Sequence, residues 1–254
     1  MPKLYILGTG TSTGVPQLGC NCPVCSSKDP RDRRLRTTAI YEADNGSRLL
    51  FDCGPDFRQQ MLGMPFKPFD AVLITHEHYD HVGGLDDLRP YSVFGKVEIY
   101  ANKLCAQHLK ERLPYCFKEQ KYPGVPNIEI KVMTPNQLID VAGVEVLPLR
   151  VMHAQLPILG FRIGDFGYIT DMSDIKDEDF DKLKGVNVLV INALRRKYHH
   201  SHQTLDKALS RIEAISPRES FLVHMSHDMG LHKEVSRNLP PHVHLAYDGL
   251  DFSW

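Results

Sequence analysis

The run His76-Glu77-His78-Tyr79-Asp80-His81 follows directly on the apolar segment Ala71-Val72-Leu73-Ile74, and it restricts the fold more than any other stretch. Three imidazoles and an aspartate within six residues leave costly polar atoms at the exit of a buried strand unless a ligand gathers them. Histidine supplies neutral nitrogen and aspartate hard oxygen, a mixture suited to two divalent ions that share a water. The cluster points to metal-assisted hydrolysis and demands a fold that brings further ligands to the same place. A lone histidine among the 13 in the chain would carry no such meaning.

A chain of 254 residues, 42% hydrophobic, can bury a sizeable core, and residues 1–254 read as one domain. The formal net charge of −1 argues against an extended nucleic-acid surface or a polybasic membrane face. The N-terminal run Leu4-Tyr5-Ile6-Leu7 is too short for a signal-peptide core, and no later stretch approaches a membrane span. A cytoplasmic protein is the expectation. Cys20, Cys22 and Cys25 crowd into six residues, a spacing poor for disulfides and suited to thiolate metal ligands in a reducing compartment.

Along the chain, Leu4–Leu7 predicts a first strand, leading into the loop Gly8-Thr9-Gly10-Thr11-Ser12-Thr13-Gly14. The third glycine falls one place too late for a dinucleotide fingerprint and no Gly-Lys-Ser/Thr follows, so a backbone turn near the site is expected. Thr38–Ala43 and Arg48–Asp52 flank Asn45-Gly46 as a hairpin. Asp56–Leu62 predicts a helix, Ala71–Thr75 a doubly covered strand, and Leu85–Leu88 a short helix. Val97–Tyr100 predicts a strand, Lys103–Leu113 a helix, and Tyr122–Asn127 a long loop. Strands follow at Glu129–Met133, Leu138–Asp140, Val144–Val151, Ile158–Ile163 and Tyr168–Thr170. The last third alternates strands at Val188–Ile191, Ser220–Val223 and Val243–Tyr247 with helices at Gln203–Ile215 and Leu231–Asn238. Two halves that each mix strands with flanking helices predict two facing sheets between helical layers, an α/β fold.

Three later residues share the placement of the first cluster. His153 follows Val144–Met152, Asp171 follows Tyr168-Ile169-Thr170, and His224 follows Ser220–Val223. Asp52 ends the strand Leu49–Phe51, where it suits either a hydrogen bond to a ligand histidine or a turn beside Gly54. The three cysteines are one ligand short of a closed zinc site, and His227, three residues after His224, is a candidate fourth.

The order His76-x-His78-x-Asp80-His81, then His153, Asp171 and His224, resembles the five-part motif of the metallo-β-lactamase superfamily. That resemblance covers essentially the whole chain and implies an αββα four-layer sandwich. It implies that His76, His78 and His153 bind one divalent ion, that Asp80, His81 and His224 bind a second, and that Asp171 bridges both. The Gly-Thr-Gly loop, the Cys-x-Cys-x-x-Cys run and His227 narrow the resemblance to the PhnP-like cyclic phosphodiesterases. By that likeness Cys20, Cys22, Cys25 and His227 hold a structural zinc, and zinc or manganese occupies the active site. Cys53, Cys105 and Cys116 read as structural.

The basic segment Arg195-Arg196-Lys197-Tyr198-His199-His200-Ser201-His202 lies between a strand and a helix. PhnP-like and tRNA 3′-processing enzymes carry a histidine at the place of His202, where an imidazole of pKa about 6.5 suits protonation of a leaving alkoxide. His199 and His200 compete for that role. The resemblance thus implies hydrolysis of a small phosphodiester, such as ribose 1,2-cyclic phosphate or a 2′,3′-cyclic nucleotide. A bridging hydroxide attacks, Asp80 and His202 serve in catalysis, and a homodimer stays open. The alternatives are a tRNA 3′-processing nuclease, for which no glycine-rich basic insertion is evident, and a thioesterase, for which no C-terminal helical domain follows. A metal-dependent binding module is a third, and it would have no use for a leaving-group acid.

Overall fold

The computed structural model describes residues 1–120, 122 and 124–254. Of the expected loop Tyr122–Asn127, Pro123 lies outside the described residues. The first half contains β1 (Lys3–Gly8), β2 (Thr38–Glu42), β3 (Arg48–Phe51), α1 (Phe57–Met61), β4 (Ala71–Leu73), α2 (Tyr79–Val82), β5 (Val97–Ala101), α3 (Lys103–Arg112) and β6 (Ile128–Val132). The second contains β7 (Ile139–Val141), β8 (Val144–His153), β9 (Leu156–Ile163), β10 (Phe166–Ile169), α4 (Asp177–Phe180), β11 (Val188–Asn192), α5 (Leu205–Ile215), β12 (Glu219–Val223), α6 (His232–Ser236), β13 (Val243–Leu245) and β14 (Leu250–Ser253).

These strands form two seven-stranded sheets, ordered β14-β1-β2-β3-β4-β5-β6 and β13-β12-β11-β10-β9-β8-β7. In the first sheet β14, β1, β2 and β3 pair antiparallel and β3 to β6 parallel. The second repeats the scheme, antiparallel from β7 to β10 and parallel from β10 to β13. Because parallel neighbours run the same way, the exits of β3 and β4 lie together in one sheet and those of β10, β11 and β12 in the other, the usual address for ligands in such sheets.

The period of two sorts the side chains. Leu49, Phe51, Ala71 and Leu73 point between the sheets, where Phe161, Phe166 and Tyr168 meet them, while Leu50, Val72 and Ile74 point to the helices outside. Phe51 stacks on Tyr168 with ring centroids 4.4 Å apart and 17° between planes, tying the sheets together directly beneath the exits of β3 and β10. On the outer face of the second sheet, α5 buries Leu205, Ala208, Ile212 and Ile215, a helical spacing, and starts where the Thr204 side chain accepts from Lys207 N–H. On the first, α3 buries Cys105, Ala106 and Leu109 and is capped by Asn102. Among the described residues no helix is long and apolar enough to cross a membrane.

Three expectations change. Leu85–Leu88 extends to a 3-10 segment over Leu85–Phe94, with Pro90, which has no N–H to continue an α-helical ladder, inside it. Helix α5 begins at Leu205, because Gln203 is engaged by other backbone groups. Val243–Leu245 is not the last strand: β14 leaves the second sheet and pairs with β1 at the edge of the first.

Candidate metal centre

Each expected ligand sits where a strand gives out. Asp52 and His224 directly follow β3 and β12, Asp171 stands two residues after β10, and all three adopt left-handed backbone, with φ of 59° at Asp52, 54° at Asp171 and 56° at His224. Such φ values are strained for these residue types and cluster at functional sites. Two close approaches lock the first cluster against the exit of β3. A Cβ at Gly54 would meet Asp80 O at 2.2 Å and one at Gly84 would meet Gly54 O at 2.1 Å, so both positions require glycine. The same contact is zipped by Cys53 N–H to His81 O at 2.7 Å and Gly84 N–H to Cys53 O at 2.8 Å.

The structure brings all seven residues together as two donor groups. One is His76, His78, His153 and Asp171; the other is Asp80, His81, Asp171 and His224, with the ligand atoms of each group within 4.8 Å of one another. Asp171 belongs to both. Its Oδ1 stands 2.9 Å from His224 Nδ1 and 3.3 Å from His81 Nε2, while Oδ2 stands 3.7 Å from His76 Nε2. Asp80 Oδ2 lies 3.2 Å from His81 Nε2.

Surrounding groups fix which nitrogen His81 and His153 offer. Asp52 Oδ2 accepts from His81 Nδ1 at 2.7 Å, and Asp52 is itself held by Thr75 N–H at 2.8 Å and the Thr75 hydroxyl at 3.0 Å. Carbonyl oxygens of Asp171 and Ser201, each 2.9 Å away, take the proton of His153 Nδ1. Thr37 and Thr11 hydroxyls stand 3.2 Å from His224 Nδ1 and Nε2. Such partners orient imidazoles for metal binding. Among the described residues His76 Nε2, fully buried, has no hydrogen-bond partner, which is costly unless a cation takes its lone pair.

The field has the same sign of demand. Among the described residues the ion-pair partners of the buried Asp52, Asp80 and Asp171 are histidines, not lysine or arginine. Burial opposes a charged His81, but Asp171, Asp80 and Asp52 outweigh it and hold this imidazole well above its usual range. Burial also opposes ionisation of Asp171, yet His224 and His81 overcome it and keep that carboxyl well below its ordinary value. Burial, with His81 beside it, pushes His76 well down, leaving it a neutral nitrogen donor. Buried carboxylates facing imidazole nitrogens suit divalent cations.

His202 lies over both groups, its ring centroid 4.7 Å from that of His153 and 5.0 Å from that of His224. Its Nδ1 is buried without a partner. Burial lowers its pKa to about 3, with His224, His153 and His199 acting in the same sense. Two buried amides place the loop: Asn192 Oδ1 accepts from Met172 N–H at 2.9 Å, and Gln203 Nε2 donates to Asn192 O. Sequence reasoning missed Thr11, Thr37, Thr75, Asn192 and Gln203, whose contacts to the site are made between separate elements, and left Asp52 ambiguous.

The cysteine cluster is also assembled. Cys20, Cys22, Cys25 and His227 place ligand atoms within 4.8 Å of one another, with His227 Nδ1 3.2 Å from Cys20 Sγ and 3.3 Å from Cys22 Sγ. Tetrahedral zinc separates sulfur and nitrogen ligands by about 3.5 Å, close to these distances. The Cys25 backbone N–H draws the Cys22 thiol down to about 6, while burial pushes Cys25 up to about 11. Cys53, Cys105 and Cys116 pack in the apolar layer under the first sheet.

A family model described as a beta-lactamase superfamily domain matches residues 47–225. An octanoyltransferase from Porphyromonas gingivalis (strain ATCC BAA-308 / W83) is 48% identical over 250 residues, covering 98% of this chain and 51% of that relative. The chain thus spans about half the length of that curated relative. Among solved structures, a diphosphatase from the PhnP family superposes with a TM-score of 0.92 at 38% identity, covering 100% of this chain and 98% of that one. Zn(2+)-bound PqqB from Methylobacterium extorquens superposes with a TM-score of 0.81 at 18% identity over 99% and 100% of the two chains, a likeness of fold.

Proposed function

The chain belongs to the metallo-β-lactamase superfamily as a PhnP-like, metal-dependent hydrolase, and from that premise we propose that it hydrolyses small phosphodiesters, with ribose 1,2-cyclic phosphate and 2′,3′-cyclic nucleotides as candidate substrates. The observation that carries the reading is the carboxylate of Asp171, shared by both donor groups. We assign His76, His78 and His153 to one divalent cation, Asp80, His81 and His224 to a second, and Asp171 to both. Zinc or manganese suits these donors. When bound, such a pair makes water a nucleophile near neutral pH and neutralises charge on phosphoryl oxygens.

The protein's own part is orientation and proton handling. Asp52 keeps the proton of His81 on Nδ1, and the carbonyls of Asp171 and Ser201 do the same for His153. His202 stands where a leaving oxygen would depart. Its half-buried ring lies against His153 and His224, and an anionic phosphate beside it would favour the protonated form that a leaving-group acid needs. Cys20, Cys22, Cys25 and His227 are assigned to a structural zinc that clips the N-terminal loop to the segment after β12. Free thiols in that arrangement suit a reducing cytoplasm. Residues 1–254 act as one catalytic unit in this reading, on a small substrate rather than an extended nucleic acid.

A second reading, cleavage of a phosphoanhydride, is favoured by the PhnP-family diphosphatase at 38% identity. Metal-loaded protein assayed on ribose 1,2-cyclic phosphate, 2′,3′-cyclic AMP, bis(p-nitrophenyl) phosphate and a dinucleoside diphosphate separates the two. Turnover of the diphosphate alone establishes the second. Retained metal with no turnover on any of them refutes both and leaves a binding module.

A further inference from the structure

Beside His202 opens a groove of ≈ 590 Å³, lined by Gln155, Tyr198, His199, His200, Lys207 and His202 itself. The donor groups of the metal centre do not use it. Tyr198 is 79% exposed at its rim, yet its main chain is fixed. Arg195 donates from Nη2 to Tyr198 O at 2.9 Å and from Nε to Lys197 O at 3.2 Å, and its Nη1 reaches Asp228 Oδ2 at 3.4 Å. A large aromatic ring is therefore held in solvent on a braced loop.

His199 has its tautomer set. Ser201 N–H donates to His199 Nδ1 at 3.3 Å, so the neutral ring carries its proton on Nε2. The ring lies 5.2 Å from His202 and 4.5 Å from His200. The charged groups are already committed. Lys207 Nζ donates to Ser173 O at 2.9 Å and stands 3.7 Å from Asp174, whose carboxylate also lines the groove. A second phosphate has little to gain there, whereas a flat group with hydrogen-bond acceptors meets an open aromatic face and an imidazole donor.

We propose that this groove is a nucleobase subsite, in which Tyr198 stacks on the base and His199 Nε2–H donates to its edge. The inference rests on the phosphodiesterase reading and deepens it, favouring nucleoside cyclic phosphates over bare sugar phosphates. Loss of one base–aromatic stack costs roughly tenfold in affinity.

The test measures kcat/KM of the metal-loaded protein for 2′,3′-cyclic AMP and for ribose 1,2-cyclic phosphate, in wild type, Tyr198→Ala and Tyr198→Phe. Tyr198→Ala is expected to cut the preference for the nucleotide about tenfold, mainly through KM, and Tyr198→Phe to restore it. Equilibrium binding of AMP and ribose 5-phosphate to the same proteins gives a second readout that needs no turnover. A Tyr198-dependent preference for AMP without hydrolysis of either cyclic phosphate would keep the subsite and overturn the phosphodiesterase reading. Hydrolysis with no Tyr198-dependent preference in either assay would overturn the subsite alone.

Discussion

Replacing Asp52 by asparagine changes one buried charge at the base of the metal centre while keeping its size. Asp52 is fully buried and accepts from Thr75 N–H at 2.8 Å, from the Thr75 hydroxyl at 3.0 Å and from His81 Nδ1 at 2.7 Å. Asparagine has one acceptor oxygen. If that oxygen stays on Thr75 N–H, the amide NH2 meets His81 Nδ1–H, and two donors face each other. The relief is for His81 to move its proton to Nε2, the atom that faces Asp80 and Asp171, where it blocks a metal bond. Removing such a partner weakens metal binding about 10–100-fold, or roughly 1.4–2.7 kcal/mol. Alanine would be a poorer probe, because it strands Thr75 and His81 donors at about 1–3 kcal/mol each. The assay is zinc titration against a competing chelator, with metal content measured on wild type and Asp52→Asn. The cysteine site, remote from Asp52, serves as internal reference. Unchanged affinity at the histidine–aspartate centre, or an equal loss at both sites, would refute the reasoning.

The remaining predictions concern separate parts of the molecule. His202→Ala should lower kcat by about 10²–10⁴-fold with metal content unchanged; loss of metal would make His202 a ligand instead. Cys22→Ser should lower Tm by roughly 5–10 °C, taking a loss of about 2–3 kcal/mol in a chain this size, while kcat of the folded enzyme stays within about twofold. The reverse pattern would exchange the roles of the two sites. Asp248, half-buried and accepting from Thr9 Oγ1 at 2.7 Å and Leu35 N–H at 2.6 Å, is pushed up to about 7 by desolvation. A carboxyl raised on folding contributes stability that is full below about pH 4 and lost as pH rises through about 7. Asp248→Asn should therefore gain on wild type by up to roughly 4 kcal/mol between pH 4 and pH 8, and a difference independent of pH would contradict this.

Most of the candidate site was legible because its residues stand directly after apolar runs. Asp171 follows Tyr168-Ile169-Thr170 and His224 follows the buried part of β12, so strand prediction alone delivers them to one end of the sheets. What periodicity does not carry is tertiary. Strand β14 has only four residues, half of them exposed, and its partner β1 lies at the other end of the sequence. The Gly8–Gly14 loop shows hydroxyls and glycine but not that Thr11 stands against His224, or that a Cβ at Gly8 would meet Arg36 O at 1.9 Å. Asp52 read equally well as a turn residue until Thr75 and His81 were seen to hold it. The lowered pKa of His202 depends on burial among His224, His153 and His199, which its place in a basic loop conceals.

Under the proposed function, Asp171 joins two metal sites into one hydrolytic centre. Metal content and phosphodiester turnover, followed together as stripped protein is titrated with zinc or manganese, test it most directly. Three ions per chain are expected at saturation, one of them lost in Cys22→Ser. Turnover should appear only as both histidine–aspartate sites fill, and Asp171→Ala should remove both the activity and the paired occupancy. Full occupancy of those two sites in Asp171→Ala, or a saturated wild type that cleaves neither phosphodiester nor diphosphate, would contradict it.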